Sequence, residues 1–194
     1  RPAGARDEAR RALGLEGEGR VLVQVSALTE RKGVMELAKA FLALPPENRR
    51  GAKLVFVGEG ELRPQLEALA AESAGAIRVL GQLPPEEVRR VLWASDAFVL
   101  NTRLDPNPLS AIEAAAAGLP VVMSAAAGNI HEVVEDPKTG FVIRDISDPS
   151  DALRAVLAAS DAQLAEMGTR AVELARTHFD APAVARSLIA QLYP

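Results

Sequence analysis

The chain has 194 residues, 48% of them apolar and 25% charged, which is enough apolar material for one large α/β domain over residues 1–194. Its formal net charge of −4 argues against a broad nucleic-acid surface, and the absence of cysteine excludes disulfides, thiolate zinc sites and cysteine nucleophiles. No apolar run approaches the roughly 18 residues of a membrane span, and residues 1–19 lack the apolar core of a signal peptide, so the sequence predicts a cytoplasmic protein.

Short β-branched runs alternate with amphipathic helical patterns along most of the chain. The predicted strands cover residues 21–26, 53–58, 77–81, 97–101, 120–124 and 140–144. The predicted helices between and after them cover residues 33–44, 62–73, 85–94, 108–117 and 150–159. Several strands are nearly continuous apolar segments, as parallel strands covered on both faces are. This alternation predicts right-handed crossovers and an α/β fold with a doubly wound parallel sheet of about six strands.

The chain becomes helical after the last predicted strand. Three helical patterns, over residues 148–160, 161–179 and 181–193, are expected to close the domain. In a doubly wound sheet, ligands bind outside the carboxyl ends of the strands. The candidate site is therefore expected in the loops that follow Ser26, Gly58, Gly81, Asn101 and Ser124.

The most informative stretch is DPNPLSAIEAAAAGLP, which follows the fourth predicted strand. Asp105 in its loop and Glu113 in its helix are two acids separated by seven residues. Carboxylates accept hydrogen bonds from sugar hydroxyls, and the amides at a helix N-terminus face anions. A nucleotide diphosphate sugar fits this arrangement best. By spacing alone, a turn-forming Asp105 and a solvated Glu113 are an equally good interpretation, but the small-residue run AAAAG favours a packed position for Glu113.

The same stretch carries the signals of a helix start. Asn107 is a plausible N-cap, and Pro108 suits the first helical turn. The amides of Leu109 and Ser110 are then placed to donate to a phosphate, with the helix dipole contributing about 0.3–1 kcal/mol.

A cation follows the first predicted strand, in the segment SALTERKG. Lys32 is expected near a helix N-terminus at the carboxyl edge of the sheet, where it can pair with a diphosphate. Gly33 beside it allows close approach of the backbone. A merely solvated pair of Arg31 and Lys32 explains the segment equally well on these residues alone.

Other ligand classes find little support. The segment VGEGELR lacks the third glycine of a dinucleotide fingerprint and follows the second predicted strand, which argues against NAD. The sequence contains neither a P-loop nor a nucleophile elbow. His131 has no metal-ligand spacing to His178 and is interpreted as an exposed residue at a helix start, so no metal site is predicted.

Together these segments resemble the C-terminal, donor-binding half of retaining glycosyltransferases of the GT-B fold, in the large group 1, family-four class. SALTERKG is similar to the family's G-R-L-x-x-x-K-G, and VGEG to its V-G-x-G. The pair Asp105 and Glu113 with AAAAGLPVV resembles the E-x7-E and A-x-A-x-G-x-P-V-V motifs, and residues 128–132 and 139–142 resemble the later G-x-x-x-E and T-G-F-V segments. The resemblance extends from about residue 20 to residue 179 and implies a Rossmann-like domain, one half of a GT-B enzyme.

The resemblance also implies roles for individual residues. Lys32 would bind the donor diphosphate, Glu113 the ribose hydroxyls, and Asp105 the transferred sugar, which makes Lys32 and Asp105 the catalytic pair. The loop around Gly81, Gln82 and Leu83 would border the base. The family needs no cofactor or metal, because a cation and helix amides stabilise the departing diphosphate. The implied partner is the enzyme's own N-terminal acceptor-binding domain, and peripheral contact with the inner membrane face is left open.

Three departures from the family pattern leave other functions open. The family's arginine is Ala27, its first glutamate is Asp105, and its phenylalanine–glycine pair is Asn107–Pro108. They suggest a degenerate domain that binds nucleotide or a partner without catalysis, and a GT-B-shaped sugar-nucleotide epimerase is a third alternative. Because a cleft needs both walls, the isolated chain is expected to bind donor weakly and to transfer little sugar.

Overall fold

A computed structural model of the chain describes residues 4–17 and 19–179. Its strands are β1 (Val21–Val25), β2 (Lys53–Val57), β3 (Ile77–Val79), β4 (Ala97–Leu100), β5 (Val121–Ser124) and β6 (Gly140–Ile143). Within the described residues they form one six-stranded sheet in the order β3-β2-β1-β4-β5-β6, with every pair parallel. The predicted doubly wound parallel sheet is confirmed, and each strand lies within two residues of its predicted bounds.

Helices flank the sheet on both sides. They are α1 (Ala5–Leu13), α2 (Val34–Ala43), α3 (Pro46–Arg49), α4 (Arg63–Glu72), α5 (Pro85–Ala94), α6 (Leu109–Ala116), α7 (Ile130–Val133), α8 (Ser150–Ala158) and α9 (Asp161–Phe179), with a 3-10 helix over Glu30–Lys32. The long predicted helices agree with this, whereas α1, α3, α7 and the 3-10 helix lie outside the predicted helical ranges. The helix expected over residues 181–193 lies outside the described residues.

The core consists of two apolar layers, one on each face of the sheet. Val21 and Val23 of β1 belong to the layer that packs against α1, α5, α6 and α9. Leu22, between them, belongs to the layer that packs against α2, α4 and α8. Successive side chains of a strand point to opposite faces, so a strand buried on both faces needs the continuous apolar run seen in the sequence.

The order of the strands defines a crevice at the middle of the sheet. From β1 the chain proceeds outward to β2 and β3, and it then returns to β4 on the other side of β1 and proceeds to β5 and β6. The loops that follow β1 and β4 therefore lead away from each other, which leaves a crevice at the carboxyl edge. None of the described helices is both long and apolar enough to cross a bilayer.

Candidate functional site

Lys32 and Asp105 form an ion pair at this crevice, one residue from the loop after β1 and the other from the loop after β4. Their side chains are 10% and 13% exposed, so water screens the pair only partly. A charge pair in such surroundings attracts more strongly than one in bulk water. The structure thus brings together the predicted ammonium group and one of the two predicted carboxylates.

The backbone of Lys32 is fixed by a buried glutamine of β1. Gln24 is 0% exposed, and its Nε2 donates to the carbonyl oxygen of Lys32 at 2.9 Å. The amide of Lys32 donates to the carbonyl oxygen of Thr29 at 3.0 Å. Sequence reasoning did not single out Gln24, although a glutamine inside the apolar run VLVQV was a signal of a buried polar contact.

Gly33 lets the loop after β1 lie directly against the end of β4. Its φ is +57°, in the left-handed region, and a Cβ atom at this position would lie 2.0 Å from the carbonyl oxygen of Asn101. Asn101 Nδ2 donates to the carbonyl oxygen of Gly33 at 3.3 Å. A side chain at position 33 would therefore separate the two loops that carry Lys32 and Asp105.

Arg31 also links these loops, mainly through its backbone. Its carbonyl oxygen accepts from the amide of Arg103 at 2.8 Å and from Thr102 Oγ1 at 3.1 Å. Its Nη1 donates to the carbonyl oxygen of Leu104 at 2.8 Å. Arg31 is exposed whereas Lys32 is buried, so the interpretation of both residues as a solvated pair does not hold for Lys32.

The loop that follows β5 braces Asp105 from the other side. The amide of Gly128 donates to the carbonyl oxygen of Asp105 at 2.8 Å, and Asp105 pairs with Ala127 in an isolated parallel bridge. A Cβ atom on Gly128 would lie 2.2 Å from the carbonyl oxygen of Pro106. The backbone of Asp105 is therefore held by a glycine that no side chain can replace without displacing the loop.

Helix α6 begins one residue later than predicted. Leu109 is its first residue, and Pro108 is the N-cap with an extended backbone at φ −69° and ψ 97°. Asn107 does not cap the helix, and its Oδ1 accepts from Asn129 Nδ2 at 2.9 Å. The amides of Leu109 and Ser110 lie in the first turn, where a helix offers its N–H groups no internal partner, so both are suited to an anion.

Glu113 lies on the exposed side of α6. The helix buries Ala111, Ala114 and Ala115, and the small-residue run thus packs without covering Glu113, contrary to the expectation from that run. Among the described residues, no ion pair or hydrogen bond joins its carboxylate to Lys32 or Asp105. The direct contact in this site is therefore between Lys32 and Asp105, and Glu113 is not part of it.

The glycines of VGEG pack backbone against backbone. A Cβ atom on Gly58 would lie 1.9 Å from the carbonyl oxygen of Ser26, and one on Gly60 would lie 2.3 Å from that of Leu28. The amide of Leu28 donates to the carbonyl oxygen of Glu59 at 2.7 Å. These glycines hold the loops after β1 and β2 together.

The loop of Gly81, Gln82 and Leu83 is tied to the same glycine segment. The amide of Gly58 donates to the carbonyl oxygen of Gly81 at 2.8 Å. The amide of Gln82 donates to Glu59 Oε1 at 3.3 Å, and that carboxylate also pairs with Arg63. Gly81 has a φ of +69°, so the turn depends on a glycine there.

His131 is exposed on α7, as the sequence indicated. No group of three or more potential metal ligands is found within residues 4–17 and 19–179. The neighbouring Glu132 is different, because its Oε2 is buried and has no hydrogen-bond partner in the described structure.

Comparison with known proteins gives one family. The family model described as "Glycosyl transferases group 1" matches residues 5–177. Spore coat protein SA of Bacillus subtilis is 30% identical over 95% of this chain and 51% of its own length. The glycogen synthase of Mycobacterium tuberculosis is 35% identical over 89% of this chain and 42% of its own length. The chain thus spans about half or less of the relatives it matches.

Solved structures agree on the fold. WaaG, a glycosyltransferase involved in lipopolysaccharide biosynthesis, superposes with a TM-score of 0.79 at 22% identity, over 98% of this chain and 51% of that one. Anabaena Alr3699/HepE, solved in complex with UDP and glucose, superposes with a TM-score of 0.81 at 19% identity, over 99% of this chain and 52% of that one. At these identities the likeness shows a shared Rossmann-like architecture.

Proposed function

This chain belongs to the group 1 glycosyltransferase family, and we propose that it is the donor-binding half of a retaining enzyme with two Rossmann-like domains. The enzyme moves a hexose from a UDP- or GDP-linked donor to a hydroxyl group of a glycan, a lipid or a small molecule. Its own N-terminal domain supplies the acceptor site and the second wall of the cleft. The chain covers 51% of one relative and 42% of another, which supports such a division.

The pairing of Lys32 with Asp105 is the observation that carries this proposal. It lies at the switch point of the sheet, where doubly wound domains bind their ligands. An ammonium group has three N–H donors, so Lys32 can keep Asp105 and still donate to a diphosphate. The amides of Leu109 and Ser110 provide further donors at the positive end of α6.

In the transfer step, the bond between the anomeric carbon and the diphosphate oxygen breaks, and its electron pair leaves with the diphosphate. The acceptor hydroxyl oxygen forms the new bond to the anomeric carbon, and its proton passes to the departing diphosphate. Lys32 and the helix amides stabilise the charge that develops on the leaving group, which is why the proposal needs no metal ion. Asp105 contacts the transferred sugar through a carboxylate that the loop after β5 holds in place.

The nucleoside occupies the outer part of the site. The carboxylate of Glu113 is exposed and has no hydrogen-bond or ion-pair partner in the part of the chain that the structure describes, so it is available to accept from the ribose hydroxyls. The loop from Gly81 to Leu83 borders the base, mainly through backbone groups.

Calorimetric titration with UDP, GDP and ADP tests the proposal. We expect Lys32→Met to weaken binding of UDP or GDP at least about tenfold, because a hydrogen bond to a charged group is lost. Lys39→Met is the matched control, since it removes the same charge from an exposed position on α2 and leaves affinity unchanged. Binding should be the same in EDTA and in magnesium.

Folding of each variant is checked by circular dichroism. Failure of all three nucleotides to bind at millimolar concentration would contradict the proposal. So would a folded Lys32→Met variant that binds as tightly as the parent chain.

A second candidate is a domain that binds the donor without transferring the sugar. An exposed alanine, Ala27, stands where the family has arginine, and the shortened acid Asp105 already neutralises Lys32. The two candidates are distinguished by measuring the rate of sugar transfer by the complete gene product and by its Ala27→Arg and Asp105→Glu double variant. Transfer only by the double variant supports the non-catalytic candidate, whereas equal rates of transfer exclude it.

A further inference from the structure

An arginine-lined cavity of about 430 Å³ lies at the opposite edge of the sheet from Lys32 and Asp105. The cavity lies at the amino edge of the sheet, because its lining residues come just before strands: Arg20 directly precedes β1, and the end of α3 precedes β2. Among the residues that the structure describes, the lining consists of Arg6, Arg10, Gly17, Gly19, Arg20, Arg49, Arg50, Leu157 and Asp161. Five arginines and one aspartate thus face one small volume.

Two of these arginines are held by a carboxylate beneath the cavity. Arg6 and Arg10 contact Asp96 at 2.6 and 2.5 Å, and the side chain of Arg10 is only 7% exposed. Burial lowers the pKa of Arg10, Asp96 opposes this effect, and the nearby charge of Arg6 lowers the pKa further. The guanidinium groups are therefore crowded, and one carboxylate serves two of them.

The other three arginines have weaker partners or none. Arg20 Nη2 donates to the carbonyl oxygen of Ala159. Its Nη1 pairs at 3.1 Å with Asp161, whose side chain is 98% exposed, and an ion pair with so exposed a partner contributes little. Arg49 Nε is buried and has no hydrogen-bond partner within the described residues, and no ion pair involves Arg49 or Arg50 there. A buried N–H without an acceptor is costly, so Arg49 Nε is suited to donate to a bound anion.

We propose that the arginine cavity binds a compact phosphate-bearing anion, a phosphate ester or inorganic pyrophosphate, at a site separate from that of the nucleotide sugar. The planar guanidinium fork matches phosphate oxygens in a bidentate geometry. Positive charge exceeds negative charge among the described residues even when Asp96 and Asp161 are counted. A concave volume of about 430 Å³ suits a small molecule better than a flat membrane surface.

Titration with inorganic pyrophosphate, followed by the amide resonances of the protein, tests this site. We expect the resonances of Gly17 and Gly19 to shift, since both residues line the cavity. The Arg49→Ala and Arg50→Asn double variant should weaken this binding at least about tenfold, because two charged donors are lost. Asparagine is chosen because Arg50 has a φ of +48°, which asparagine tolerates.

Matched variants show whether pyrophosphate binds at this cavity or responds only to the total positive charge of the protein. Arg90→Ala with Arg176→Ala removes two exposed arginines elsewhere and should leave the affinity unchanged. Arg20→Gln, a milder change in the cavity itself, should also weaken binding. Lys32→Met should keep the shifts at Gly17 and Gly19 while it removes those at Leu109 and Ser110.

The proposal is overturned if the folded Arg49 and Arg50 double variant binds pyrophosphate as tightly as the parent chain. It is also overturned if pyrophosphate shifts only Leu109 and Ser110. A third outcome is that the protein binds vesicles of anionic phospholipid, depends on Arg49 and Arg50 for this, and does not respond to pyrophosphate. That outcome would overturn the proposal of a small anion and assign the cavity to a lipid surface. None of these outcomes affects the nucleotide-sugar site, which is tested with different ligands and with Lys32→Met.

Discussion

The carboxyl and amino edges of the sheet differ in how their charged side chains are balanced. At the carboxyl edge, Lys32 and Asp105 neutralise each other before any ligand is present. At the amino edge, the arginines of the cavity outnumber the carboxylates that contact them within residues 4–17 and 19–179. A ligand at the carboxyl edge therefore binds beside an existing ion pair, whereas a ligand at the amino edge relieves repulsion between like charges. Affinity at the amino edge should consequently fall more steeply with ionic strength.

The largest expected effect concerns the support of the amino edge. Asp96→Asn leaves the buried Arg10 without its carboxylate and weakens the acceptor for the amide of Val21, which donates to Asp96 at 2.7 Å. Breaking a buried ion pair by removing one partner costs about 3–5 kcal/mol, and we expect a loss of about 4 kcal/mol in the free energy of unfolding. Urea denaturation measures this loss. Asp151→Asn, at a carboxylate that is 96% exposed, is the control and should change stability by less than about 0.5 kcal/mol.

The next effect concerns the pair at the carboxyl edge. Lys32→Met leaves Asp105 shielded and unpaired, and we expect a loss of about 3 kcal/mol in the free energy of unfolding. Adding Asp105→Asn should recover part of it, because the uncompensated charge is then gone. A double-mutant cycle in urea measures the coupling between the two changes, and strictly additive losses would show that the pair does not contribute in this way.

A smaller effect is expected from the brace under Asp105. Gly128→Ala places a methyl group against the carbonyl oxygen of Pro106, and overpacking of this kind costs about 1–3 kcal/mol. The displaced loop should also weaken UDP binding, although position 128 itself need not touch the ligand. Ala126→Ser, at an exposed neighbour, should change neither stability nor affinity. An unchanged affinity in Gly128→Ala would mean that the loop after β5 does not position Asp105 for the ligand.

The smallest effect on stability is expected at Glu113. The residue is exposed, so Glu113→Gln should change the free energy of unfolding by less than about 0.5 kcal/mol. Its effect on function should be larger, with UDP affinity falling about tenfold because the hydrogen bonds to ribose lose their charge. Thermal unfolding measures the stability, and calorimetric titration of the same sample measures the UDP affinity. A loss of stability without a loss of affinity would contradict the proposed contact between Glu113 and the ribose.

Most of the sheet was predictable because its strands are buried on both faces and their apolar runs stand out between polar loops. Helix α1 was not predicted, and the reason is visible in its packing. One of its two buried residues is Arg10, which a hydrophobic pattern counts as polar although it is buried in contact with Asp96. The helices α3 and α7 have four residues each, too few for a periodic pattern.

The candidate site was predictable only in part. Lys32 and Asp105 could be placed at one edge because the carboxyl ends of parallel strands lie together. The pairing of Asn107 with Asn129 and the contact of Gly128 with Pro106 join separate loops, and no local pattern encodes them. The prediction that Glu113 is packed was wrong, because a run of alanines indicates a packed helix face without showing which neighbouring residue lies outside that face.

The separation of Lys32 and Asp105 along the chain, 73 residues, ties ligand recognition to the completed fold. The two side chains meet only when β1 and β4 are neighbours, and an unfolded chain has no local segment that reproduces their arrangement. A nucleotide that binds only this arrangement stabilises the folded state and so raises the melting temperature. At a ligand concentration one hundred times the dissociation constant, the added free energy of unfolding is about 2.7 kcal/mol. Under the proposed function, the concentration of the donor would therefore help to set the fraction of the chain that is folded.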